Sequence, residues 1–375
     1  MVTHPTPLHL KPPQSDLKVL PLSASELNTA KAAYSVRRVP RASIETLLTG
    51  DLRPHSGDLV LAEIVRLGQH RRIELGSGRR AWLHPGDRVI LCYGNRYAPD
   101  QFEGYVPEDL GPCHMVAAGG IAALQRSKHS TVKDATAIRP LGLLGDADGR
   151  PLNLASWGLP PRNFGRRPLT LAVVGTSMNA GKTTAATQLI RGLGSAGLKV
   201  GAAKLTGTGA GGDVWQMQDN GADPVLDFTD AGFASTFGLP PQLLEKIAAT
   251  LTGHLAEADV DVIVLEIADG LLQQETATIL ASDWFRQSVY GVFFAASDAL
   301  GVESGVRRLR DLGLPLLAIS GALTASPLAV TEARQIVDCP ILTREELLTS
   351  SLLDCLTKSE RNEDNNEDNQ IAAAR

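Results

Sequence analysis

The stretch Leu169–Leu193, LTLAVVGTSMNAGKTTAATQLIRGL, constrains this chain more than any other. Leu169 to Val174 is a short apolar run with two valines, the signature of a strand buried on both faces. Gly175 to Gly181 is a turn of small residues, and Lys182 to Leu193 then carries Ala185, Leu189, Ile190 and Leu193 at helical spacing. Strand, glycine-rich turn, Lys-Thr and helix, in that order, make the layout that cradles phosphate. The first amides of a helix lack intrahelical partners and carry positive partial charge, which suits phosphate oxygens. The expected contacts run through Gly175, Thr176, Ser177, Met178, Asn179, Ala180, Gly181, Lys182, Thr183 and Thr184. Gly181 lets the backbone approach closely, Lys182 supplies a cation for the β- and γ-phosphates, and Thr183 offers a hydroxyl to Mg²⁺. The spacing is long: five residues separate Gly175 from Gly181, and Thr176 occupies the first glycine's usual place.

A chain of 375 residues has room for two domains. Its composition, 43% hydrophobic and 21% charged, is that of an ordinary globular protein. A net charge of −5 with no basic stripe among aromatics argues against a nucleic-acid partner. A nucleotide held locally by the loop, together with a small-molecule substrate, is the expected partner set. The cysteines, Cys92, Cys113, Cys339 and Cys355, are scattered without C-x-x-C spacing, as expected of free thiols rather than a zinc or redox site. The N-terminal MVTHPTPLHLKPPQSD is broken by prolines, unlike a signal peptide, and no apolar run reaches the length of about 20 residues that spans a bilayer. A cytoplasmic protein with no membrane partner is the expectation.

Read in order, residues 1–30 form a proline-rich arm, expected to be extended and partly disordered. Residues 31–150 have the texture of short strands, at 58–67, 69–75, 80–83 and 88–93, which predicts a small β-rich domain, a barrel or sandwich. Gly94 to Gly120 reads as a long Gly- and Pro-rich loop, with Arg96, Tyr97, Asp100, Glu103 and His114 as candidate pocket residues. Residues 151–167 read as a linker. From 168 to 350 strands and helices alternate, which predicts an α/β domain with a mostly parallel sheet flanked by helices. Residues 351–375 read as a disordered acidic tail.

Ligands of such sheets bind beyond the carboxyl ends of the strands. Lys204 ends the strand Lys199–Lys204 and precedes a glycine-rich loop, so it is placed to stabilise a transferring phosphoryl group. Glu266 falls inside the apolar run VDVIVLEI, where an ionised carboxylate is costly unless it meets a cation or metal. Lys182, Lys204 and Glu266 are therefore the expected catalytic residues. Thr183, Asp213 and Glu266 are the expected metal residues, with Asp219 and Asp269 as alternative carboxylates.

These segments together resemble the dethiobiotin synthetase and cobyrinic-acid amide synthetase branch of P-loop proteins. The matching positions are Gly175-Thr176, Gly181-Lys182-Thr183, Lys204 to Gly207, and Glu266 followed by Gly270, Leu271 and Leu272, over roughly residues 168–345. The resemblance implies a Mg²⁺-dependent, nucleotide-binding enzyme that phosphorylates a carboxylate or carbamate, typically as a homodimer. ATP is the expected nucleotide, with GTP the alternative, because Ser320-Gly321 stands near where an Asn commonly reads adenine. Ser177 stands where dethiobiotin synthetases usually carry an Asp, which argues against that family's diamine substrate. Two alternatives stay open. One is a nucleotide-dependent switch or accessory protein. The other is N-acyl transfer with a cofactor pyrophosphate in the loop, since TGTG and DFTDAGFAST are similar to a P-loop family that includes reported D-amino-acid N-acyltransferases.

Overall fold

The computed structural model describes residues 17–162 and 168–356. In the N-terminal part, five strands close on themselves. Leu59–Arg66 pairs with Arg88–Tyr93, which pairs with Ile121–Lys128, then Cys113–Ala117, then Thr136–Gly145, which returns to Leu59–Arg66. The Arg88–Tyr93 to Ile121–Lys128 pairing is parallel and the other four are antiparallel. Ring closure leaves these strands no free edge. Val60, Ala62, Ile64, Val89, Leu91, Met115 and Ile138 are among the buried residues of its core.

Two expectations for this part need correction. Residues 17–30 are not an irregular arm. Lys18–Pro21 pairs with Thr46–Thr49, and the helix Ala24–Thr29 starts with a reciprocal Ser23/Glu26 cap. Residues 94–120 are not one long loop but contain the strands Arg96–Tyr97, Phe102–Tyr105 and Cys113–Ala117. Burial of Phe102, Met115, Val116 and Ala117 drives them into the sheet, despite the surrounding glycines and prolines. Residues 1–16 of the arm lie outside the described residues, as do 163–167 of the linker.

The C-terminal part is a six-stranded parallel sheet. Its elements are β1 (Leu169–Gly175), α1 (Lys182–Ser195), β2 (Val200–Lys204), α2 (Gly212–Asp219), β3 (Val225–Asp227), α3 (Pro241–Glu257), β4 (Val262–Glu266), α4 (Gln274–Leu280), α5 (Asp283–Ser288), β5 (Gly291–Ala295), α6 (Ala299–Asp311), β6 (Leu316–Ser320) and α7 (Pro327–Arg334). The strand order is β3-β2-β4-β1-β5-β6. Side chains of β1 alternate as a strand's must. Leu171 and Val173 join a core with Leu189, Ile190 and Leu193 of α1, while Ala172 and Val174 join one with Leu251 of α3 and Val302 of α6. Both faces are covered, which is why the strands read as unbroken apolar runs.

The acidic tail begins later than expected. Residues 350–356 are helical, and Leu352, Cys355 and Leu356 are buried against the α1 side of the core. The rest of the tail, 357–375, lies outside the described residues.

The two parts meet at the edge strand β3. Tyr34 Oη donates to Asp227 Oδ2 at 2.8 Å, Arg37 pairs with Asp230 at 2.7 Å, and Arg38 pairs with Asp230 at 3.3 Å. Asp227 and Asp230 are both buried, and a buried carboxylate needs such partners. This junction fixes the barrel beside the carboxyl ends of β2 and β4. Among the described residues, no helix is long and apolar enough to cross a membrane.

Candidate nucleotide-binding site

The loop after β1 is held by its neighbours' backbones. Thr176 N donates to Ala295 O at 2.9 Å, Leu271 N to Gly175 O at 3.0 Å, and Ala322 N to Ala180 O at 2.9 Å. Asn179 and Gly181 both have left-handed backbones, with φ of 66° and 94°. A Cβ at Gly181 would stand 2.8 Å from Ala322 N, so the position admits only glycine without a shift of backbone. Gly181 caps α1 without a side chain over the helix start, leaving the first amides for a ligand. Lys182 is buried and folds back so that Nζ donates to Ser177 O at 2.7 Å. Burial holds its pKa below the usual lysine value, against the pull of Glu266 and Asp269.

Pairing register assembles the charged cluster. β2 and β4 run parallel with Lys204 opposite Glu266, so both strands end together beside Thr183. The Thr183 hydroxyl donates to Glu266 Oε1 at 2.8 Å and reaches Asp213 Oδ1 at 3.3 Å. Lys204 Nζ forms an ion pair with Asp213 Oδ2. Burial alone would lower Lys204, but Asp213 and then Glu266 outweigh it and hold the ammonium above its ordinary pKa. Burial would raise Asp213, yet Lys204 keeps that carboxyl below the usual range. Glu266 is pushed up to about 7, first by burial and then by the Asp213 charge. Its Oε2 is buried with no hydrogen-bond donor among the described residues.

A magnesium ion keeps several water and phosphate ligands and takes only one or two carboxylates from a protein. Thr183, Asp213 and Glu266, with one acceptor oxygen left over, fit that demand. Of the alternative carboxylates, Asp219 is exposed at the far end of α2, away from the cluster. Asp269 is half-buried beside it, with its pKa raised by burial. Met178, Asn179, Thr184 and Lys204 join these residues around a cavity of about 360 Å³.

A second cavity, about 410 Å³, opens between the loop and the barrel. Ser177 and Asn179 line one side, Tyr97, Asp100 and His129 the other, with Asp269 common to both cavities. Asn179 Nδ2 donates to Asp100 Oδ2 at 3.0 Å, and Asp100 Oδ1 is buried without a donor among the described residues. Of the five candidates between Gly94 and Gly120, the structure brings Tyr97 and Asp100 to this cavity. Arg96 is buried, donating to Gln101 Oε1 at 2.9 Å and to Val116 O. Glu103 accepts from Ser127 and Tyr105, and His114 Nδ1 accepts from Gln125 N within the barrel. His129, absent from the expected set, sits in an exposed polar turn where the sequence offers no periodic signal.

No family model and no curated protein matches the sequence. Among solved structures, the chain is similar to the signal recognition particle receptor FtsY from Elizabethkingia anophelis, at 17% identity over 49% of this chain and 60% of that one, with a TM-score of 0.34. It is also similar to the cell division protein FtsY from Thermotoga maritima, at 14% identity over 52% and 74%, TM-score 0.34. The kinase domain of the Escherichia coli tyrosine kinase ETK matches at 15% identity over 41% and 66%, TM-score 0.30. The chain thus spans 60% of the length of the first of these. The strand, loop and helix geometry around Gly175–Thr184, set in a parallel sheet, is that of a P-loop fold.

Proposed function

We propose that this chain is a Mg²⁺-dependent P-loop enzyme that binds ATP, or GTP in its place, and transfers the γ-phosphoryl group to a small-molecule acceptor. The observation that carries this reading is the strand-end cluster, in which Thr183 bridges toward two carboxylates and Glu266 Oε2 has no donor among the described residues. Thr183, Asp213 and Glu266 would hold magnesium, which supplies charge neutralisation at the phosphate oxygens. Lys182 and the first amides of α1 would bind the β- and γ-phosphates. Lys204, lining the same cavity, would offset charge on the transferring group. The acceptor would enter the second cavity, where the barrel's Tyr97, Asp100 and His129 face the loop. A carboxylate on that acceptor is the class the sequence resemblance implies.

A switch reading is supported by the Asn179–Asp100 contact, which ties the loop to the barrel. Phosphate release measured with and without a panel of small metabolites separates the two. Stimulation by one acceptor, lost in Lys182→Ala, is the expected result. Equal turnover with every metabolite supports the switch, and failure of folded protein to bind magnesium–nucleotide at millimolar concentration sinks both.

A further inference from the structure

Glu74 of the barrel reaches across to the helix that carries Asp213. It lies on the short strand Arg72–Glu74 and is 2% exposed. Both oxygens are used on the far side of the junction. Oε2 accepts the Gly211 amide at 2.9 Å, and Oε1 accepts the Trp215 indole N–H at 3.1 Å. Gly211 is the N-cap of α2, which has no side-chain cap from its own segment. A carboxylate at a helix start satisfies an amide that the helix cannot, and it complements the helix dipole.

The segment leading into α2, Thr206 to Gly212, reads TGTGAGG. So many glycines leave the backbone free to take many paths, so external anchors set the one it follows. The fit at Gly211 is close. A Cβ there would stand 2.5 Å from Trp215 Nε1 and 2.7 Å from Tyr34 Cε2. Tyr34 meets Trp215 edge-on at a centroid distance of 5.8 Å. Two residues after this anchor, Asp213 pairs with Lys204 and approaches Thr183.

We propose that Glu74 is a positioning residue for the metal site: it fixes the first turn of α2 and so holds the Asp213 carboxylate toward Thr183. The barrel then serves as a working part of the phosphate site as well as a wall of the second cavity. This inference rests on the reading of Thr183, Asp213 and Glu266 as the magnesium-holding group.

The test titrates Mg²⁺ against binding of a fluorescent ATP analogue, with thermal melting in parallel, for the full-length wild type, Glu74→Gln and Arg38→Ala. The Gln variant keeps the shape but sets an amide N–H₂ against one of the two donors. Arg38→Ala weakens the same junction through Asp230 without touching α2. Glu74→Gln should need about tenfold more Mg²⁺ for half-maximal nucleotide binding, the usual scale for losing a group that orients a metal ligand. Arg38→Ala should melt earlier yet keep the wild-type Mg²⁺ requirement. Should Glu74→Gln not fold, Trp215→Phe removes one of the two donors while keeping a ring, and should shift the requirement in the same direction. A wild-type Mg²⁺ requirement in the folded Glu74 variant, or an equal shift in Arg38→Ala, overturns the inference while leaving the site reading intact. Absence of Mg²⁺-dependent binding by the wild type overturns the site reading, and the inference with it.

Discussion

Replacing Lys204 with Met asks whether the strand-end cluster behaves as one buried charge network. Met keeps an unbranched stem of similar length and deletes the cation. The side chains of Lys204 and Asp213 are 12% and 24% exposed, and Glu266 beside them is 2% exposed. Were the pair freely solvated, its loss would cost below about 1 kcal/mol. Removing one partner of a fully buried pair costs about 3–5 kcal/mol, because a charge is left uncompensated. The partial exposure of Asp213 places the expected loss between these limits, about 2–3 kcal/mol in urea unfolding near neutral pH. Asp213→Asn in the Lys204→Met background removes the stranded charge, so the double-mutant cycle should return a coupling energy of about 2 kcal/mol. Millimolar Mg²⁺ should also stabilise Lys204→Met more than the wild type, since a bound cation replaces the missing charge and raises stability by mass action. A coupling energy below about 0.5 kcal/mol, with equal Mg²⁺ effects on both proteins, would refute the reasoning: the pair would then be solvent-screened.

Two further perturbations test other parts of the fold. His70 is held below its ordinary pKa, at about 4, by burial and then by the Arg96 charge, while its Nε2 sits 3.0 Å from Val116 O. The unfolded chain takes up that proton near 6.5 and the folded barrel does not, so stability should fall as pH drops from 6.5 toward 4, by up to about 3 kcal/mol. His70→Gln keeps a donor but does not titrate, and urea midpoints at pH 7 and pH 5 should lie closer together in it than in the wild type. Leu352 is 1% exposed, so Leu352→Ala should cost about 2–4 kcal/mol in the same assay. A loss under about 0.5 kcal/mol would mean that residues 350–356 contribute nothing to the core.

Legibility in the sequence tracked how far each element's stability is written in its own residues. β1 is an unbroken apolar run and α1 has helical apolar spacing, on either side of the Gly175–Gly181 turn, and the structure places them within two residues of the expected ends. The 94–120 segment was opaque because its strands are short and bounded by glycine and proline, so that burial by partners elsewhere decides their conformation. The 350–356 helix carries a short apolar signal of its own. Leu352, Cys355 and Leu356 have i, i+3, i+4 spacing, but the acidic run after them dominates the composition.

At the site, charged residues ending apolar strands were informative, because a buried charge demands a partner: Lys204 and Glu266 do stand opposite each other. What the sequence could not say was which helical carboxylate completes the group. Asp213 and Asp219 sit six residues apart on α2, and at about 100° per residue they point to different sides of the helix, so only one can face the cluster. The choice depends on how α2 is rotated. That rotation is set by Trp215 against Tyr34 and by Glu74 on the Gly211 amide, a contact 137 residues distant in the chain. Within α2 itself, Val214 and Met217 are buried and fix the inward face, which leaves Asp213 at its border next to Lys204 and Asp219 in solvent. A substitution that turned α2 by one residue would therefore carry Asp213 off Lys204 without altering a single residue of the cluster.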